Sequence, residues 1–93
     1  MKLVLTINRA RHLEKCGILP DEVDQVNQDP AHITMNMRGG GRFLLGRTAA
    51  GRYLKIALRP GPGGWHIWTG WPMSEREKRF FKAHNKRRRL DET

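Results

Sequence analysis

Arg47, Arg52, Lys55 and Arg59 fall within or beside short runs that alternate polar and apolar residues. Lys55 and Arg59 are four apart, so they share one face of any strand that holds both. Ala49-Ala50-Gly51 makes a tight connection between Arg47 and Arg52, so folding the two runs together can bring all four cations side by side. Such a cluster grips phosphate oxygens. It also stabilises the extra negative charge of a phosphorane when an RNA 2′-hydroxyl attacks its own backbone. The same residues also read as a solvated strand face with edge-protecting charges.

Trp65, Trp68 and Trp71, with His66 among them, form the second constellation. By strand parity Trp65 and Trp71 share one face, and His66 and Trp68 the other. One pair is expected beneath the last helix and the other exposed, where an indole stacks on a base. Membership of the core or of a protein interface is the competing reading. His66 has the chemistry for acid–base work near neutral pH. In the last helical segment Arg76, Arg79 and the stretch from Lys82 to Lys86 place basic groups at helical spacing. Ser74-Glu75-Arg76-Glu77 fits a capping box, which assigns Glu77 a structural role beside any catalytic one.

The charge distribution points the same way. Of 93 residues, 18 are Lys or Arg and 9 Asp or Glu, a net charge of +9. Residues 1–30 hold four basic against five acidic side chains, whereas residues 31–90 hold fourteen basic against only Glu75 and Glu77. Arg outnumbers Lys twelve to six, which suits bidentate phosphate contact. An anionic partner, nucleic acid or an acidic protein, is therefore expected. A Gly-rich nucleotide loop, a Ser-His-Asp pattern and a His-Glu-x-x-His motif are all missing. The four histidines are scattered, and Cys16 is the one cysteine, so neither a metal site nor an internal disulfide nor a cofactor is expected. Cys16 reads as a small buried thiol. No apolar run reaches the length of a membrane span or a secretory h-region, which makes the cytoplasm the expected location.

The elements that must position these residues follow from periodicity. Lys2 to Ile7 reads as a short strand or an extended lead-in. Asn8 is expected to cap a helix over Arg9–Cys16 that stops at Gly17, and Pro20 to open a second short helix ending at Asp29-Pro30. Residues 32–38, 42–47, 52–59 and 65–69 read as four strands separated by glycine-rich turns. A last helix runs from Ser74 to about Arg88, with Phe80, Phe81 and His84 facing the sheet. The expectation is α+β: one domain over residues 1–90 with a small antiparallel sheet of about four strands, two N-terminal helices and one C-terminal helix. Residues 86–93 form a basic end, suited to a helix C-terminus or to a mobile tail.

Taken in order, several segments resemble a known family. They are His12-Leu13-Glu14-Lys15-Cys16-Gly17-Ile18, Pro20-Asp21-Glu22-Val23, Asp29-Pro30, the run Leu45-Gly46-Arg47-Thr48-Ala49-Ala50-Gly51-Arg52-Tyr53-Leu54, and Pro72-Met73-Ser74-Glu75-Arg76-Glu77. The series, covering about Ile7 to His84, resembles the BrnT-type toxins, a branch of the RelE-like ribonuclease toxins of bacterial toxin–antitoxin pairs. The resemblance implies a RelE-like sheet with flanking helices and metal-independent cleavage of RNA, including mRNA. It also implies a cognate antitoxin that covers the basic surface and through which the pair reaches operator DNA. It assigns Arg47, Arg52, Lys55 and Glu77 as functional residues, with Arg76 and Arg79 lining the same groove. Three positions depart from the pattern: Cys16 stands where His is usual, Gly70-Trp71 where Ala-Arg is common, and Phe81 where Tyr is common. Trp71 lacks a guanidinium and Phe81 a hydroxyl.

On the first reading, then, Arg47, Arg52 and Lys55 hold the scissile phosphate, Glu77 or His66 moves the proton, and Trp68 or Trp71 stacks on a base, with Arg59, Arg76 and Arg79 extending the grip. The second reading is a module of the same fold that binds RNA or the antitoxin and cuts nothing. A third is a small interaction protein whose positive face docks on an acidic partner.

Overall fold

The structure, a computed structural model, describes residues 2–91. It is α+β, with a five-stranded mixed sheet and three helices. In chain order the elements are β1 (Leu3–Val4), α1 (Ile7–Lys15), α2 (Pro20–Gln28), β2 (Ile33–Asn36), β3 (Arg42–Arg47), β4 (Tyr53–Gly61), β5 (Gly64–Pro72) and α3 (Glu75–Asp91). The sheet order is β1-β5-β4-β3-β2. The antiparallel meander from β2 to β5 is as the alternation predicts. The fifth strand is a correction: β1 pairs parallel with β5, Leu3 opposite Trp65 and Val4 opposite His66. Two residues carry almost no periodicity, and a parallel partner sixty residues away leaves no turn signal.

Capping explains where the first two helices begin. Thr6, not Asn8, caps α1: its backbone is extended and its Oγ1 accepts the Arg9 N–H at 3.3 Å. Gly17 ends the helix with φ +79, as expected of a C′ glycine. Cys16, expected buried, is exposed. Leu13 takes the core position on α1, and once the chain turns at Gly17 the next buried side chain is Ile18. In α2, Pro20 occupies the first turn and Glu22 Oε1 accepts the Leu19 N–H at 3.1 Å.

The main core lies between the sheet and α1–α2. It joins Leu13, Ile18, Val23 and Val26 to Leu44, Leu54, Ile56, Leu58 and Ile67. Burying each of these stabilises the fold by about 1.5–3 kcal/mol before entropy is counted. A Cβ on Gly46 would lie 2.8 Å from Val26 Cγ1, so the glycine is what lets α2 close on β3. The opposite face is thinly covered. There Ile33, Leu45, Met73 and Phe81 form a four-residue cluster under α3. Phe81 alone of the expected helical trio is buried, while Phe80 and His84 are exposed. Residues 86–91 of the basic end continue α3, and residues 92 and 93 lie outside the described residues. Among the described residues no helix is long and apolar enough to cross a membrane.

The tryptophan parity is overturned by one residue. Ala57 pairs with Thr69 and Leu58 with Ile67, so Trp68 is the extra residue of a β-bulge. Trp65 therefore packs on the main core, while Trp71 lies opposite Lys55 on the α3 side. The two indoles are on different faces.

Candidate nucleic-acid interface

The cross-strand register decides which candidates meet. Leu45 lies opposite Lys55 and Lys55 opposite Trp71, so this row carries Lys55 onto the α3 side of the sheet. Ser74 starts α3 directly after β5 and sets Glu77 above that row. Glu77 Oε1 accepts the Ser74 N–H at 2.9 Å, and Ser74 Oγ accepts the Glu77 N–H at 3.1 Å, completing the capping box. Glu77 Oε2 accepts from Lys55 Nζ at 2.6 Å. The Lys55 hydrogen bond, then the Ser74 amide, holds the Glu77 carboxyl below the usual carboxylate range. Both side chains keep about a quarter of their surface exposed, so the pair is open to a ligand.

Aromatic side chains frame this pair. Lys55 Nζ lies 4.3 Å from the Phe43 ring centroid and 5.4 Å from that of Trp71. Phe43 and Trp71 contact one another at 6.3 Å. Met35, Phe43, Lys55, Arg76, Glu77 and Phe80 line a hollow of about 270 Å³. Met35, Trp71 and Phe80 are 40–46% exposed, a concentration of apolar surface that a basic chain of this size has no folding reason to display.

From this hollow the open sheet continues along the β4–β5 hairpin. Arg59 and His66 lie opposite one another there, about 13 Å from Lys55 at the rise of a strand. His66 Nε2 lies 2.8 Å from the Pro62 carbonyl. His66 is therefore too far from the Lys55–Glu77 pair to share a proton with it. Trp68 is also on this stretch, with the Arg9 guanidinium 3.5 Å and the Arg59 guanidinium 4.1 Å from its ring centroid. Two cations that close leave little of that ring face uncovered, whereas Trp71 is exposed. Arg76 joins the hollow, whereas Arg79 is exposed elsewhere on α3 and does not line it.

Two expected members of the cluster are elsewhere. Arg52 is turned to the α1–α2 side, where Nη1 donates to Glu22 Oε1 and Oε2 at 2.8 and 2.7 Å and to the Gly17 carbonyl at 3.0 Å. It closes the loop between the helices onto the sheet and is not beside Lys55. Burial works against the Glu22 charge, but the Leu19 amide and Arg52 outweigh it and hold that carboxyl below its usual range. Arg47 is on the α3 side but opposite Tyr53, and α3 comes between it and the Lys55 hollow. The helix gives Arg76, Glu77 and Phe80 to one hollow, and Phe81, Lys82, Asn85 and Arg89 to another that holds Arg47 and Tyr53.

Lys55 and Arg76 thus lie on one flank of α3, and Arg47, Lys82 and Arg89 on the other. Sequence reasoning missed Met35, Phe43 and Phe80 at the first hollow. Met35 and Phe43 alternate in phase with Lys55 once the register is known, and Phe80 follows Glu77 by three on the helix. Among the described residues no group of three His, Cys, Asp or Glu side chains is placed to hold a metal ion. No protein-family model and no curated protein matches this chain.

Proposed function

We propose that the chain is the toxin half of a bacterial toxin–antitoxin pair, of the BrnT type within the RelE-like ribonucleases, and that it acts on single-stranded RNA laid on the open half of the sheet. The observation that carries this reading is the Lys55–Glu77 pair, set beside the exposed Trp71 indole and Arg76 at the end of an uncovered sheet face. Aromatic surface and cations interleaved on an open sheet are what unpaired RNA needs: bases stack and phosphates are neutralised.

The chemistry uses protein groups alone. Glu77 takes the proton of a 2′-hydroxyl, the 2′-oxygen bonds to phosphorus, and the bond to the 5′-oxygen breaks, that oxygen being protonated from solvent. Lys55 and Arg76 stabilise the phosphorane charge. A cognate antitoxin covers the same face, and operator DNA is reached through that complex.

One observation favours a second reading, binding without cleavage. Both Glu77 oxygens already accept hydrogen bonds, which makes the carboxylate a weak base. RNA incubated with the protein in a chelator, with binding followed in parallel, separates the two. Cleavage by the wild type that Lys55→Ala and Glu77→Gln abolish supports the ribonuclease. Binding with no cleavage selects the second reading, and no RNA binding overturns both.

A further inference from the structure

The hollow on the other flank of α3 has no part in that scheme. The Tyr53 ring lies at its floor, with the Lys82 ammonium 5.2 Å and the Arg47 guanidinium 5.8 Å from the ring centroid. Arg89 and Asn85 complete the lining. Among the described residues, no carboxylate pairs with Arg47, Lys82 or Arg89. The nearby Asp29 is occupied, its two oxygens accepting the backbone N–H groups of Ala31 and Arg47 at 2.9 and 2.8 Å. Lys78, the third cation near the ring, is drawn off to Glu75 at 3.1 Å. No hydrogen bond reaches the Tyr53 hydroxyl from the described residues.

The frame around these donors is fixed. Tyr53 meets Phe81 edge to face at 5.8 Å and 81°. Asn85 Nδ2 donates to the Phe81 carbonyl at 3.0 Å. Arg88 ties the end of α3 to the Pro30 and His32 carbonyls at 3.4 and 3.5 Å. The hollow measures about 140 Å³. It opens to solvent, so a tetrahedral oxyanion can sit among the donors while whatever is attached to it stays outside.

We propose that this hollow is a binding site for a phosphomonoester dianion, gripped by Arg47, Lys82 and Arg89 and oriented by the Tyr53 hydroxyl. Three cations with no carboxylate partner among the described residues match a group carrying between one and a half and two negative charges, as a phosphomonoester does near pH 7 (about −1.5 to −2). Donors approaching from a strand, a strand-borne phenol and two turns of a helix match a ligand with three oxygens in three directions better than a planar carboxylate. The site stands apart from the RNA face and does not depend on it.

Calorimetry on the full chain tests this with two probes. The first is inorganic phosphate; the second is a set of 2′-O-methylated oligoribonucleotides of one sequence, ending in a 5′-phosphate, a 3′-phosphate or hydroxyls alone. Saturable phosphate binding is expected. It should weaken about tenfold in Arg47→Ala or Lys82→Ala, since hydrogen bonds to charged groups are lost. It should weaken less in Tyr53→Phe, which keeps the ring and its packing, and not at all in Arg11→Ala on α1. A gain in affinity from one terminal phosphate identifies a nucleic-acid end as the source. Phosphate binding with no gain from either end identifies the free ion. Binding that Arg47→Ala and Lys82→Ala leave intact, or no saturable binding of any phosphate probe, overturns the proposal.

Discussion

Lys55 Nζ meets Glu77 Oε2 at 2.6 Å, which ties the middle of β4 to the first turn of α3. The contact joins a strand residue to a helix cap, so Glu77 is anchored twice, by Lys55 and by the Ser74 amide. Lys55→Ala should therefore leave the fold in place, because the capping box survives and an ion pair that water still reaches contributes only about 1 kcal/mol. RNA cleavage, by contrast, should fall by about 10²-fold or more, the usual effect of removing one charge-stabilising group. Single-turnover rates with denaturation curves on the same sample check both halves.

Arg52 should behave in the opposite way. Its guanidinium holds the Glu22 carboxylate and the Gly17 carbonyl together on the far side of the sheet. Arg52→Ala should lower stability by about 1–2 kcal/mol, because a charged acceptor loses its donor. It should leave RNA affinity unchanged. Urea unfolding and a binding titration, run side by side, read the two outcomes.

Acid should act on the two depressed carboxyls. Glu77 and Glu22 both bind protons less readily folded than unfolded. Their contribution to stability is thus fully present above the unfolded value and is lost as the pH falls through the lower folded one, in the region below about pH 4. Glu77→Gln should flatten part of that loss and lower the midpoint above pH 6, where the contribution it removes is fully present. Thermal midpoints taken across the acid range show whether it does.

Much of this architecture was legible because it is local. The alternation in residues 32–59 placed β2, β3 and β4, Gly17 ended α1, and Ser74–Glu77 opened α3. The failures share a cause: each depended on something without a local pattern. β1 needed a parallel partner from the other end of the chain. Trp71 was put on the wrong face relative to Trp65 because the Trp68 bulge shifts parity by one, and nothing in the composition of the strand marks it. Arg52 just precedes β4 and is drawn to Glu22 on α2, a partner thirty residues back that the alternation around Lys55 does not announce. Lys55 follows from strand alternation and Glu77 from the capping box, but that Glu77, Trp71 and Arg76 lie near Lys55 follows only from the cross-strand register and the placing of α3. Arg47 was not separable from them until the path of α3 was known.

Salt should reveal how the cations share the RNA. A protein that neutralises phosphates releases their counterions, so affinity falls linearly with salt on logarithmic axes, with a slope set by the number of contacts. Lys55, Arg59 and Arg76 stand on the proposed RNA face, whereas Arg52 is turned to the α1–α2 side of the sheet. Arg59→Ala should weaken binding similarly for all sequences and reduce the slope by about one phosphate contact. Trp71→Ala should weaken binding by about 1–3 kcal/mol, the contribution of a base stacked on an aromatic ring, and leave the slope as it was. Arg52→Ala should change neither quantity. The measurement is one set of binding curves across salt concentrations with an RNA that cannot be cut. If the slope responded to Arg52→Ala and not to Arg59→Ala, the RNA would lie on the α1–α2 side, and the open sheet beside Lys55 and Glu77 would not be the interface.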